Sequence, residues 1–202
     1  MSIAQSRLES GRDQYAFRSA IVIGKNKVII IIGVSGSGKT TIGRLLSGEL
    51  GWQYYEGDNF HPPANIEKLK NGVPLDDADR KPWLESLRDL IRNCLEQGDS
   101  AVVACSALKQ RYRDFLLVDE RVILIYLKGD YELIRERLSK RRGHFLNPNL
   151  LDSQFAALEE PKTAMQVDVS LSPAEIVKSI RSALRLNRLP RHDRRLRSST
   201  AS

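Results

Sequence analysis

One stretch of the sequence has the residue types and the spacing of a phosphate-binding loop. Residues 33–40 read Gly-Val-Ser-Gly-Ser-Gly-Lys-Thr, which fits the pattern G-x-x-x-x-G-K-S/T. Glycines allow backbone N–H groups to close around phosphate oxygens, and a helix that follows adds partial positive charge. We expect Lys39 to reach the β- and γ-phosphates of a nucleotide and the Thr40 hydroxyl to ligate Mg²⁺. The stretch therefore predicts nucleotide binding and phosphoryl transfer.

The segments on both sides of the loop supply the context that this motif requires. Residues 27–32 form a short apolar run rich in β-branched residues, which is typical of a strand buried on both faces of a parallel sheet. Apolar residues then recur at helical spacing from Ile42 to Leu50, and Gly51 ends the pattern. Strand, glycine loop and helix follow one another in the required order.

Buried strands alternate with helices through the rest of the chain, which predicts an α/β fold with a parallel sheet. We expect the other strands at residues 52–56, 101–105, 122–127 and 166–169. Helices are expected at residues 66–70, 82–97, 107–117, 131–138 and 173–184. In this interpretation Pro82 opens the third helix, and residues 76–81 form a charged loop ahead of it. Asp130 is placed to cap the helix that follows the fourth strand.

Composition and length indicate a globular protein with one domain. The chain has 202 residues, of which 41% are hydrophobic and 28% charged. No apolar run approaches the roughly 20 residues that span a bilayer, so a membrane partner is not expected. The two cysteines, Cys94 and Cys105, lack the spacing of a metal site or a disulfide framework. These features favour a reducing, cytoplasmic compartment.

The net charge of +7 is concentrated near the end of the chain. Residues 187–202 carry five arginines against one aspartate, and we expect a solvated, disordered tail there. Contact with nucleic acid or a membrane is the alternative, but the tail lacks interleaved aromatic residues and the rest of the chain is only weakly basic. Residues 1–24 show no clean periodicity and are expected to form an N-terminal extension.

Carboxylates at the end of the second strand are the candidates for acid–base chemistry. This strand ends Glu56-Gly57-Asp58, whereas the third ends Cys105-Ser106 without a carboxylate. Ligands of open parallel sheets bind outside the carboxyl ends of the strands. We therefore expect Asp58 to accept the proton of an attacking hydroxyl and Glu56 to lie near the water shell of a metal. The alternative for Asp58 is a simple turn residue after glycine.

Polar and basic side chains follow the same strand ends and could bind an acidic acceptor. The alternative is that they are ordinary surface residues. The candidates are His61, Arg80, Ser106, Lys109 and Arg113.

From Arg141 to Ala164 the pattern loosens, with glycine and prolines as breakers, and such a stretch is often a functional lid. Arg137 and Arg141 at its start could close onto the phosphates. A solvated helix face is the alternative interpretation of these arginines.

Several segments together resemble one known family. Residues 79–83 read Asp-Arg-Lys-Pro-Trp and residues 105–109 read Cys-Ser-Ala-Leu-Lys, and both are more specific than the phosphate loop. With these motifs the chain resembles the gluconokinases of the thermoresistant, P-loop type over about residues 27–186. Further matching segments lie at residues 33–40, 56–62, 72–84, 112–114, 126–130, 137–138, 141–145 and 158–161 and at Gln154.

The resemblance implies transfer of the ATP γ-phosphate to the 6-hydroxyl of D-gluconate, with Mg²⁺ as metal, in a homodimer. It implies a P-loop kinase domain at residues 25–186, with five parallel strands in the order 2-3-1-4-5, an acceptor-binding insertion at 59–98 and a lid at 141–165. Lys39, Asp58 and Arg141 would be catalytic, and Thr40 and Glu56 would hold the metal. Nucleotide contacts are expected from Gly33, Val34, Ser35, Gly36, Ser37, Gly38, Lys39, Thr40, Thr41, Arg137 and Arg141.

Two alternatives to a gluconate kinase are open. The same fold could serve another acceptor, such as shikimate or a nucleoside monophosphate. A P-loop switch or a nucleic-acid-associated ATPase anchored by the basic tail is a second alternative. The missing carboxylate after the third strand argues against the switch, and no nucleic-acid partner is expected.

Overall fold

Five parallel strands form one sheet in the order β2-β3-β1-β4-β5, as expected. The computed structural model describes residues 26–140 and 148–186. The strands are β1 (Val28–Ile32), β2 (Gln53–Glu56), β3 (Ala101–Ala104), β4 (Val122–Lys128) and β5 (Met165–Asp168). The expected N-terminal extension and basic tail lie outside the described residues.

Helices connect the strands and cover both faces of the sheet. They are α1 (Lys39–Leu50), α2 (Pro63–Lys70), α3 (Asp77–Glu96), α4 (Gln110–Leu116), α5 (Tyr131–Ser139), α6 (Pro148–Ala157) and α7 (Pro173–Ala183). A short 3-10 helix, Gly57–Phe60, follows β2. In the described part of the chain, no helix is long and apolar enough to cross a membrane.

The central strand β1 is buried along its whole length because it pairs with β3 on one side and β4 on the other. Its side chains alternate between two cores, as the pleat of a strand requires. Ile29 and Ile31 pack with α1 and α7, whereas Ile30 and Ile32 pack with α3. This rigid centre fixes the position of the glycine loop that follows β1.

Helix α3 begins earlier than the sequence pattern predicted. It starts at Asp77 and includes Pro82, so the expected charged loop at residues 76–81 is wrong. The Asp76 carboxylate accepts the N–H of Asp79, and the Asp79 carboxylate accepts the N–H of Asp76. This capping box gives hydrogen-bond acceptors to two backbone N–H groups at the start of the helix, so the helix begins ahead of the proline.

Helix α4 begins later than expected, at Gln110 rather than Ala107. Ala107 has φ of +35° and Lys109 is extended, and neither conformation is helical, so the helix cannot form until Gln110. The expected cap at α5 is also only half right. Asp130 occupies the N-cap position without a side-chain bond to the first turn. Helix α7, by contrast, has a full capping box, in which the Ser172 hydroxyl accepts the N–H of Glu175 and the Glu175 carboxylate accepts the N–H of Ser172.

The loosely patterned stretch contains a helix that the sequence analysis did not identify. Helix α6 runs from Pro148 to Ala157, inside the segment that was expected to form a lid. Leu151 of this helix is buried in the same core as Ile134 and Leu138 of α5. The hydroxyl of Tyr131 also donates to Asp152 over 2.6 Å. The helix is therefore packed onto α5 along one side.

Candidate active site

The glycine loop curls between β1 and α1 as the motif predicted. Gly36 and Gly38 have φ of +84° and +99°, a region that glycine enters without strain. A Cβ on Gly36 would lie 2.8 Å from Leu138, so the loop also needs glycine in order to pack on α5. Gly38 is the N-cap of α1 and has no side chain to satisfy the first N–H groups. Those donors are therefore suited to phosphate oxygens.

Lys39 is the first residue of α1, and its side chain folds back over the loop. Its ammonium donates to the carbonyl oxygen of Val34 over 3.0 Å. This contact holds the charge above the loop, beside the cradle of backbone N–H groups. The position suits a cation that neutralises the charge of transferring phosphate.

The end of β2 is pressed against β3, and this contact places Asp58. A Cβ on Gly57 would lie only 2.4 Å from the carbonyl oxygen of Ala104, so glycine is required there. The indole N–H of Trp83, a residue that is 1% exposed, donates to the Gly57 carbonyl over 2.8 Å. Helix α3 thus fixes the short 3-10 helix that carries Asp58.

A cavity of about 780 Å³ lies at the carboxyl ends of the strands. The glycine loop, the 3-10 helix, α2, α3, the segment after β3 and α6 all contribute to its wall. Seven residues predicted for the site line this cavity: Ser35, Lys39, Asp58, His61, Arg80, Ser106 and Lys109.

The charges on the cavity wall favour an anionic acceptor. Four cations line it, namely Lys39, Lys70, Arg80 and Lys109, and Asp58 is the one carboxylate on its described wall. Lys70 was not identified from the sequence, because a lysine near the end of a short helix resembles any surface lysine. The Lys109 ammonium also contacts Asp77 at 3.0 Å, and Arg111 and Tyr112 donate to the same carboxylate.

His61 is held in a restricted environment beside Asp58. Its ring stacks on Trp83 with centroids 4.4 Å apart. Burial lowers the pKa of His61, and nearby Arg80 lowers it further, while Asp58 acts in the opposite direction. The imidazole is therefore neutral at neutral pH. The ring can form a hydrogen bond with the molecule that accepts the phosphoryl group, but it adds no charge to the cavity.

Arg113 does not reach the cavity wall, so the expected direct contact with the acceptor is wrong. The side chain is fully buried beneath the segment after β3. Its guanidinium donates to the carbonyl oxygens of Ala107 and Leu108 instead. The sequence could not distinguish a buried Arg113 from an exposed one, since in either case it shows only an arginine on a short helix.

Tyr54 connects the two residues expected to hold the metal, Thr40 and Glu56. The Tyr54 hydroxyl donates to the Glu56 carboxylate over 2.7 Å and is also within hydrogen-bonding reach of Thr40. Burial and Glu56 raise the pKa of Tyr54, so the phenol stays protonated. Within the described residues, no cluster of three or more acidic, histidine or cysteine side chains could hold a metal by itself. A hydroxyl and a carboxylate still suit Mg²⁺, which takes most of its ligands from phosphates and water.

The two arginines expected to close onto the phosphates cannot both be placed. Arg137 donates to the carbonyl oxygen of Val169, which holds it beside the end of β5. Arg141 lies outside the described residues.

Gln154 joins α6 to the glycine loop, a contact for which the sequence gave no role. Its side-chain oxygen accepts the backbone N–H of Ser35 over 2.6 Å, and its amide nitrogen donates to the Ser35 hydroxyl over 3.0 Å. Helix α6 therefore lies against the glycine loop and contributes to the cavity wall. A glutamine in a loosely patterned stretch offered no periodicity that could predict this contact.

The fold and the site together define a P-loop kinase of small molecules. The family model of shikimate kinase matches residues 35–184. A probable gluconokinase of Mus musculus is 40% identical over 179 residues, covering 78% of this chain and 97% of the relative. The thermoresistant gluconokinase of Escherichia coli is 42% identical over 135 residues, covering 66% and 77%.

Solved structures give the same result. The crystal structure of a gluconokinase from Sinorhizobium meliloti superposes with a TM-score of 0.74 at 37% identity, covering 81% of this chain and 94% of that one. The chain belongs to the gluconokinase family, within the wider group of shikimate-kinase-like proteins.

Proposed function

We propose that the protein is an ATP-dependent gluconokinase, which converts D-gluconate and ATP to 6-phospho-D-gluconate and ADP. The observation that carries the proposal is one cavity in which Lys39 and Asp58 face the same space, among cations suited to a sugar acid. The gluconokinase relatives support the choice of acceptor.

In the proposed reaction, the 6-hydroxyl oxygen of gluconate forms a bond to the γ-phosphorus, and the bond from that phosphorus to the β,γ-bridging oxygen breaks. The hydroxyl proton passes to the Asp58 carboxylate, and the leaving group is ADP. Lys39 and the N–H groups of the loop would stabilise charge on the phosphoryl oxygens. Arg80, Lys70 and Lys109 would hold the gluconate carboxylate at the other end of the cavity.

Thr40 and Glu56 would hold Mg²⁺, directly and through water. When bound, the metal neutralises phosphate charge during transfer. The chain's own contribution is to keep these oxygen atoms close to the loop, through the Tyr54 hydroxyl that bonds Glu56. Two further expectations stay proposals: a homodimer, which the resemblance implies, and a cytoplasmic location, which the cysteine usage favours.

A coupled assay of ADP formation across gluconate, shikimate and nucleoside monophosphates tests the proposed function. Gluconate should give the highest kcat/KM, and phosphorus NMR of the product should show a phosphate monoester at the 6-position. Preference for shikimate or a nucleotide would contradict the acceptor while keeping the fold. ATP hydrolysis that no acceptor stimulates would favour the switch or ATPase instead.

A further inference from the structure

Arg113 is the most deeply buried charged side chain among the described residues, with no exposed surface. Its hydrogen-bond acceptors are neutral oxygens, and no carboxylate within the described chain forms an ion pair with it. Its Nε atom has no hydrogen-bond partner in the described structure. Burial lowers its pKa, with Glu159 and Asp114 acting in the opposite direction. Burying a charge without an ion pair is costly, so this arrangement needs a compensating role.

The guanidinium connects two segments that are far apart in the sequence. Nη1 donates to the Ala107 and Leu108 carbonyl oxygens over 3.1 and 2.7 Å. Nη2 donates to the Gln110 side-chain oxygen and to the Glu159 carbonyl oxygen, each over 2.7 Å. The first segment follows β3 and carries Ser106 and Lys109, and the second follows α6.

Two backbone N–H groups also join these two segments, and we call the contact between residues 106–110 and the chain after α6 the junction. The Glu159 N–H donates to the Leu108 carbonyl over 3.0 Å, and the Gln110 N–H donates to the Glu159 carboxylate over 2.6 Å. Ala107, at the centre of the junction, has φ of +35°, which a residue with a side chain rarely adopts. Arg113 holds this strained turn by bonding to the carbonyl oxygen of Ala107 itself.

The junction supports two parts of the cavity wall. Ser106 and Lys109 of the first segment and Gln154 and Ala157 of α6 all line the cavity. The Ser106 carbonyl oxygen also accepts the N–H of Gly33 over 3.5 Å, so the junction adjoins the glycine loop. A displacement here would move the acceptor-binding groups relative to the phosphate cradle.

We propose that Arg113 is a positioning residue for the acceptor. Its buried guanidinium fixes the Ser106–Lys109 wall against the chain after α6, and so determines how the anionic acceptor fits, without contacting it. This inference rests on the proposed function, because it assigns the cavity to the acceptor.

The kinetic test compares Arg113→Met and Arg113→Lys with the parent enzyme, and Arg92→Met serves as a matched control on the exposed side of α3. Loss of one charge-assisted hydrogen bond to the acceptor weakens its binding about tenfold or more, so KM for gluconate should rise about tenfold or more in Arg113→Met. The dissociation constant for ATP should stay within about threefold, since the loop itself is unaltered. Arg113→Lys should be intermediate, because an ammonium can bond the two carbonyl oxygens but not also Glu159.

KM does not depend on the fraction of active enzyme, so a merely structural loss would lower the measured rate without raising KM for gluconate. An unchanged gluconate KM in Arg113→Met or Arg113→Lys would overturn the inference. An equal weakening of ATP and gluconate binding would also overturn it, as would the same rise in Arg92→Met.

Hydrogen exchange provides a second test that does not depend on the acceptor. In Arg113→Lys, the Gln110 and Glu159 amides should exchange about tenfold faster or more, while the amides of β1 keep their protection. Unchanged exchange at Gln110 and Glu159 would overturn the inference. The two tests can fail separately. If the parent enzyme does not phosphorylate gluconate but the Gln110 and Glu159 amides exchange faster in Arg113→Lys, the proposed function is wrong, whereas the structural role of Arg113 is supported.

Discussion

Replacement of Trp83 by phenylalanine should weaken both the fold and the acceptor site. The indole N–H bonds the buried Gly57 carbonyl over 2.8 Å, and phenylalanine removes this bond, at about 0.5–1.5 kcal/mol. The smaller ring also leaves a cavity of roughly 40 Å³, or about 1 kcal/mol at about 24 cal/mol per Å³. The free energy of unfolding should therefore fall by about 1.5–2.5 kcal/mol.

The assay has two parts, urea unfolding and steady-state kinetics with gluconate. Because the lost bond frees the segment that carries Asp58, kcat/KM should also fall by about tenfold. Trp52→Phe is the control, since Trp52 is half-buried on the opposite face of the sheet. A Trp83→Phe enzyme within about 0.5 kcal/mol of the parent, with unchanged kcat/KM, would refute the reasoning.

Three other predictions follow from the same site. Lys39→Ala should abolish transfer without altering the unfolding transition, because the proposed role of Lys39 is to neutralise phosphate charge and its side chain is not part of the core. Near-normal turnover would contradict the loop assignment. The lowered pKa of His61 means that the unfolded chain binds more protons between that pKa and about 6.5, so stability falls as the pH falls through this window. Urea titrations from about pH 7 to about pH 5 should show a smaller loss for His61→Gln than for the parent, and equal losses would contradict this. Arg141→Ala should lower kcat more than it weakens gluconate binding, and a change in KM alone would make Arg141 a binder of the ground state.

The sheet could be predicted from the sequence because its signals are local. The apolar run at β1, the glycine loop and the helical period of α1 each identify one element without reference to any other. The strand order came from the resemblance, since no local pattern specifies which strands are neighbours. The cavity could be anticipated because parallel strands bring their carboxyl ends to one edge.

One error concerned a local signal, and two arose where distant contacts decide the structure. A proline after a charged run predicted a helix start at Pro82, but the Asp76–Asp79 capping box starts the helix one turn earlier. The sequence could place Arg113 on α4 but could not show that its side chain is buried. The reason is that its partner, the Glu159 carbonyl, lies 46 residues away in the sequence. Gln154 meets Ser35 across 119 residues, and no periodicity encodes such a pair.

The paired measurement on Asp58→Asn tests the central claim most directly. The substitution keeps the size of the side chain but removes its charge and basicity, so turnover with gluconate should fall about 10²–10⁴-fold. Binding of ATP and Mg²⁺, measured by titration, should change little because the glycine loop supplies most of it. Turnover within a few-fold of the parent would remove Asp58 from the mechanism, and a collapse of ATP binding would place it in the metal site instead.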